Sequence, residues 1–170
     1  MRKKPLNNEY TEFKAKYGSI VAYFGFTQIP NILIENQKNL KLKNSDFITL
    51  INFMRHDYGN LESHISGLTI SKNTGMNPST IYYKNSKNKS REPGIKERLL
   101  SKNFIKIRGI DKKYNTDIIS LLPLIKKLRM VAKSITEDQI IKNELPKEKI
   151  NELLKLISID DLENSLFSHN

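Results

Sequence analysis

The spacing of apolar positions divides this chain into short helices and strands. From Ser45 to His56, Phe47, Leu50, Ile51 and Met54 fall at i, i+3, i+4 and i+7, which puts them on one face of a helix. Asn44 or Ser45 can cap its start, Asp46 suits the positive end of its dipole, and Phe47 and Phe53 belong to a core. Ser66 predicts a second helix start, because its hydroxyl can accept an orphan amide proton and Ile70 follows at a turn's distance. Gly75 ends that helix, since glycine enters the left-handed conformation without a Cβ clash. Asn77 then caps a third helix that opens on Pro78, where the missing N–H costs nothing. Further on, Ile95 to Ser101 predicts a helix with Ile95, Leu99 and Leu100 inward. Phe104 to Arg108 sets Phe104 and Lys106 against Ile105 and Ile107, the alternation of a half-buried strand, with Gly109 to Asn115 as the turn beyond it. Leu124, Ile125, Leu128 and Val131 make Leu121 to Met130 a helix, with Pro123 in its first turn. Ser19 to Phe26, dense in β-branched and aromatic residues, predicts a buried strand or extended segment ended by Pro30.

These residues resemble a family. Ile70-Ser71, Gly75 five positions after Ile70, Met76 behind the turn, Asn77 as cap and Ser79-Thr80-Ile81 opening the next helix are similar to the helix-turn-helix of winged-helix DNA-binding domains. Downstream, Leu99, Asn103, Phe104, Ile105, Lys106 and Ile107 resemble the end of the third helix and the first wing strand. Thr116 to Leu124 resembles the second wing strand and the following helix of plasmid and phage replication proteins. Upstream, Phe26 to Asn31 and Leu40 to Lys43 are similar to the approach to those domains, so that the resemblance covers roughly residues 20 to 128. In two places the chain departs from the pattern. Lys84 to Gly94 is inserted before the wing, and Asn103 stands where glycine is common, although asparagine also adopts left-handed backbone. The fold implied is mainly α with a small β-wing, α+β in class.

Charge bears on what such a fold would bind. The chain of 170 residues carries a formal net charge of +11. Between residues 84 and 113, eleven cations face three acids, Glu92, Glu97 and Asp111, for a net of +8. Alone, a charge run is most simply a solvated surface; beside a helix-turn-helix it is what phosphate neutralisation requires. The resemblance therefore implies a double-stranded DNA-binding protein whose second helix, from Pro78 to about Lys84, enters the major groove. Asn77, Ser79, Thr80, Tyr82 and Tyr83 would lie near bases or the flanking backbone. Lys84, Lys87, Lys89, Arg91, Lys106, Arg108, Lys112 and Lys113 would contact phosphates. A transcriptional regulator is the broader expectation, a replication initiator at origin repeats the narrower alternative, and a winged-helix adaptor that binds protein the third.

Enzymatic chemistry finds no support in the residues. There is no phosphate-cradling glycine loop and no nucleophile with a base, and the spacing of Asp57, Glu62 and His64 matches no hydrolytic motif. With no cysteine and only His56, His64 and His169, neither a metal site nor a cofactor is expected. No apolar run reaches the length of a membrane span and no secretion signal is seen, so a cytoplasmic setting is the default.

Three regions are expected: a flexible basic arm over 1–19, the DNA-binding domain over 20–133, and an acidic helical segment over 134–170. In the last, four lysines face eight acids, a net of −4. Its stripe of Ile150, Leu153, Leu154 and Ile157 is too short to be stable alone, and would dock on the domain, on a second copy as a homodimer, or on a protein partner.

Overall fold

The structure, a computed structural model, describes residues 11–12, 15–20, 27–57, 60–82, 93–142 and 146–156. The chain divides into two compact units, Met1–Leu124 and Ile125–Asn170. Within the described residues the elements are α1 (Asn31–Glu35), α2 (Asn44–Arg55), β1 (Glu62–Ser63), α3 (Gly67–Thr74), α4 (Pro78–Tyr82), α5 (Ile95–Ser101), β2 (Lys106–Asp111), β3 (Thr116–Ser120), α6 (Leu122–Ile141), and a helix α7 over 147–156. The class is α+β, mostly helical with one small antiparallel sheet.

In the first unit α2 packs on α3 and α5, and α4 on α3 and α5. The sheet order is β1-β3-β2, all antiparallel, with Ser63 opposite Ile119 and Ile107 also opposite Ile119. Leu50, Phe53, Ile70, Ile81, Leu99 and Ile119 are buried in its core.

The turn between α3 and α4 is built by local chemistry. Ser66 Oγ accepts from the Thr69 N–H at 3.1 Å. Gly75 stands at φ 73° and its N–H closes α3 on the Ser71 carbonyl at 2.8 Å. Nothing lies within 4 Å of the position a Cβ would take, so backbone angle alone calls for glycine there. Ser71 Oγ donates to the Met76 carbonyl at 2.5 Å, and the Met76 N–H donates to Thr74 Oγ1 at 3.3 Å, which fixes the turn from both sides. Asn77 Oδ1 accepts from the Ser79 N–H at 3.0 Å and so caps α4.

Several expectations are corrected. The buried positions of α2 include Asp46, Thr49, Leu50 and Phe53, while Phe47, Ile51 and Met54 are only half-buried. The inward face is thus turned by one residue, about 100°, because Arg98 supplies a partner that lets Asp46 occupy a core position. The N-cap is Lys43, neither Asn44 nor Ser45, and its N–H donates to Asp46 Oδ2 at 3.3 Å. Phe104 and Ile105 are both buried, so the expected alternation fails. They close α5 instead: the Asn103 N–H donates to the Leu100 carbonyl at 3.0 Å and the Phe104 N–H to the Leu99 carbonyl at 2.8 Å, a Schellman ending with Asn103 at φ 54°. The strand expected over Phe104 to Arg108, β2, therefore starts at Lys106 and runs to Asp111, and the turn shrinks to residues 112–115. Residues 19–20 are helical, so no strand begins at Ser19; 21–26 lie outside the described residues. The helix after the hairpin is longer than expected, passing through Ser134 without a break.

Asn103 offers a direct check on the α5 ending. Asn103→Gly should melt like the parent, whereas Asn103→Val should lose about 1–2 kcal/mol, the cost of putting a β-branched residue where asparagine is tolerated in left-handed backbone. Equal melting of all three would show that this position is not held left-handed.

In the second unit, Leu128 of α6 is buried and Ile125 and Val131 are half-buried. On α7, Ile150 and Leu153 are half-buried and Leu154 is exposed. Ile157, the fourth member of the expected stripe, lies outside the described residues.

Candidate nucleic-acid interface

The second helix of the turn presents one side to the core and one to solvent. Ile81 is buried and lines a small cavity with Phe53, Ile65, Ile70 and Ile119. With that side fixed inward, Asn77, Ser79 and Thr80 are exposed. Their freedom differs. Ser79 Oγ donates to Asn77 Oδ1 at 2.8 Å, in addition to the backbone cap, so these two side chains are partly committed to each other. The Thr80 hydroxyl has no partner among the described residues and is the most available donor and acceptor on this face. Tyr82 closes α4, and nothing is described of its side chain; Tyr83, Lys84, Lys87, Lys89 and Arg91 lie outside the described residues.

Among the described residues the cations that follow fall into two sets. Three serve the fold. Arg98 donates through Nε to Asp46 Oδ1 at 3.1 Å and through Nη2 to the same oxygen at 2.5 Å, and its Nη1 donates to the Pro93 carbonyl at 2.6 Å. Lys102 donates to the Lys41 carbonyl at 2.6 Å, and Lys96 pairs with Asp117. The others lie on the β2–β3 hairpin. Lys106, Lys112 and Lys113 are exposed, Lys113 with its Nζ 4.9 Å from the Tyr114 ring centroid. Arg108 is 3.7 Å from Glu62 Oε1 but keeps 55% of its side chain exposed, so this contact screens it little.

A bulge shapes this surface. Register passes from Ile107 opposite Ile119 to Gly109 opposite Ile118, which leaves Arg108 as the extra residue. After it the exposed Ile110 and Tyr114 stand among the lysines of the turn. An apolar and aromatic surface interleaved with cations can meet a phosphate backbone and the sugar or base edges beside it.

His64, Glu62 and Asp57 take structural partners. His64 Nδ1 lies 2.9 Å from Asp111 Oδ2, Glu62 accepts from Asn60 Nδ2 at 3.0 Å, and Asp57 forms an isolated bridge with Ser63. Asp111 is held below the ordinary carboxylate range, first by the His64 hydrogen bond and then by the backbone N–H groups of Lys113 and Tyr114, which together outweigh the opposing effect of burial. Among the described residues no group of three or more His, Asp or Glu is arranged to hold a metal ion, and no helix is long and apolar enough to cross a membrane. No protein family, curated protein or solved structure was found to match this chain.

Proposed function

We propose that the chain is a winged-helix protein that binds double-stranded DNA, with α3 and α4 as its helix-turn-helix and the β2–β3 hairpin as its wing. The observation that carries this reading is the exposed face of Asn77, Ser79 and Thr80 on a helix held from behind by Ile81, in a unit whose hairpin displays Lys106, Arg108, Lys112 and Lys113. A helix so exposed fits a major groove, and the hairpin cations neutralise flanking phosphates. The order helix, short strand, two helices, a further helix and a hairpin, with β3 central in the sheet, supports the winged-helix assignment. Transcriptional regulation is the proposed role. Replication initiation at origin repeats is the alternative that the resemblance of Thr116 to Leu124 favours. Under either role, residues 134–170 supply the surface for a second copy or a protein partner.

Binding should be sensitive to salt. Log K should fall linearly with log salt, and each of Lys106→Ala, Lys112→Ala and Lys113→Ala should flatten the slope by about 0.9, the share of one phosphate contact in B-DNA. Thr80→Ala should instead change which sequences are recovered when bound duplexes are selected from a random pool. A folded protein that binds no duplex at low salt would replace this reading with that of a protein-binding adaptor.

A further inference from the structure

We infer that α6 docks antiparallel against α6 of a second copy of this chain, along the row Lys126, Met130, Ser134 and Asp138. The inference rests on the reading above that residues 134–170 seat a second copy or a protein; it commits that surface to a second copy and extends it back to Lys126. These four residues are spaced four apart on one continuous helix and all are exposed, as is Lys142, the next in the row. They belong to the unit Ile125–Asn170. Met130 is 73% exposed, and Ile141, at the end of the same helix, 78%. A row of this spacing is a ridge of the helix surface, and the commonest pairing of helices sets two such ridges side by side.

Charge names the occupant. Over 122–133 α6 carries four cations and no acid; over 134–141 it carries Glu137 and Asp138 and no cation. A helix with opposite signs on its two halves is complementary to its own reversed copy, which is what an isologous contact about a twofold axis demands. A partner of one sign would be repelled by one half or the other. The row also sets the register. With Met130 of each copy beside Ser134 of the other, the long, flexible side chain meets a small one, and Lys126 falls beside Asp138 at both ends of the contact. One helical turn further along, Lys126 would meet Lys142 and Met130 would meet Asp138, so that slip opposes like charges and sets an apolar side chain against a carboxylate. The contact is one helix wide and belongs with small, weak interfaces, so it forms only at high protein concentration.

The test is sedimentation equilibrium of the full chain without DNA, at low salt and up to about 1 mM protein, for the parent, Lys126→Glu, Asp138→Lys and the two changes together. Both positions are exposed, so all four proteins should melt alike. The parent should form a dimer and go no further, because the contact closes on itself. Each single reversal sets like charges together at both ends of the contact and should weaken the dimer about tenfold. The double reversal restores opposite charges together with the parent's net charge, and should return to within about threefold of the parent. Lys126 and Asp138 stand about 18 Å apart along one helix, so that recovery arises only between copies. A double reversal as weak as the single ones, or a dimer that neither single reversal weakens, overturns the pairing of α6 and leaves the wider reading of residues 134–170 standing. A parent that stays monomeric at the highest concentration overturns the second copy altogether and leaves residues 134–170 to a different protein. Because no DNA is present, the duplex-binding reading stands or falls separately.

Discussion

Replacing Ile81 with aspartate is expected to abolish the cooperative melt of the first unit, while Thr80→Ala, one residue away, leaves it unchanged. Ile81 is 1% exposed and lines the small cavity it shares with Phe53, Ile65, Ile70 and Ile119. A carboxylate placed there is cut off from water, and the nearest cation lining the cavity, Lys96, already pairs with Asp117. An unpaired buried charge costs several kcal/mol, a large part of the roughly 5–15 kcal/mol that holds an ordinary domain together. Removing methyl groups grades the same effect: Ile81→Val should cost about 1 kcal/mol and Ile81→Ala about 2–5 kcal/mol. Thr80 is exposed, and surface substitutions of this kind usually stay within about 0.5 kcal/mol. Thermal melts of the four variants order them, and a parent-like melt for Ile81→Asp would show that α4 is rotated away from the phase described. The pair Ile81 and Thr80 also separates the core side of α4 from its exposed side, since Thr80→Ala keeps the scaffold while altering the exposed face.

The two helices Gly67–Thr74 and Pro78–Tyr82 and the turn between them were legible because every signal that makes them acts within a few residues. Ser66 caps onto Thr69, Gly75 closes onto Ser71, and Asn77 caps onto Ser79, so the local sequence contains the whole hydrogen-bond pattern. The features that were not legible depend on partners far along the chain. β1 is two residues long and exists only through Glu62 and Ser63 pairing with Ser120 and Ile119. No periodicity marks so short a strand. The phase of α2 follows from Asp46 meeting Arg98, 52 positions later, and without that pairing a carboxylate reads as solvent-facing. Phe104 and Ile105 read as alternating strand positions because the Schellman ending that buries both needs Asn103 left-handed, which asparagine permits without dictating.

The same distinction governs the site. Charge density alone counts Lys96, Arg98 and Lys102 with Lys106, Lys112 and Lys113; the first three, already left out of the expected phosphate contacts, have acids or carbonyls as partners that no local pattern announces. In sequence His64, with Asp57 and Glu62, matches no hydrolytic motif. Its partner Asp111 is 47 positions away, and only the closing of the hairpin brings them together.

Arg98→Ala should destabilise the first unit far more than its place on a seven-residue helix suggests, by about 3–5 kcal/mol. Asp46 is fully buried, and the guanidinium supplies its two closest charged contacts. Without it the carboxylate keeps only the Lys43 N–H at 3.3 Å and the ammonium of Lys102 at 4.0 Å, which is already turned to the Lys41 carbonyl. The Pro93 carbonyl loses its donor as well. The loss should be recovered in large part by removing the stranded charge: Asp46→Leu combined with Arg98→Met should fall short of the parent by about 1 kcal/mol, the worth of the bond from Lys43 that starts α2. Denaturant unfolding of both single variants and the double gives the coupling between the two positions. A cost below about 0.5 kcal/mol for Arg98→Ala would mean that Asp46 is not held in the interior by this pair. The expected outcome would place the pair at the junction of α2 and α5, whose far end sets Asn103 left-handed and delivers the chain to the hairpin at Lys106. On the proposed DNA-binding function Arg98 would act only through the position of the strand that carries the exposed lysines, and Arg98→Lys, which keeps the charge without the fork, should weaken duplex binding while leaving the salt slope unchanged.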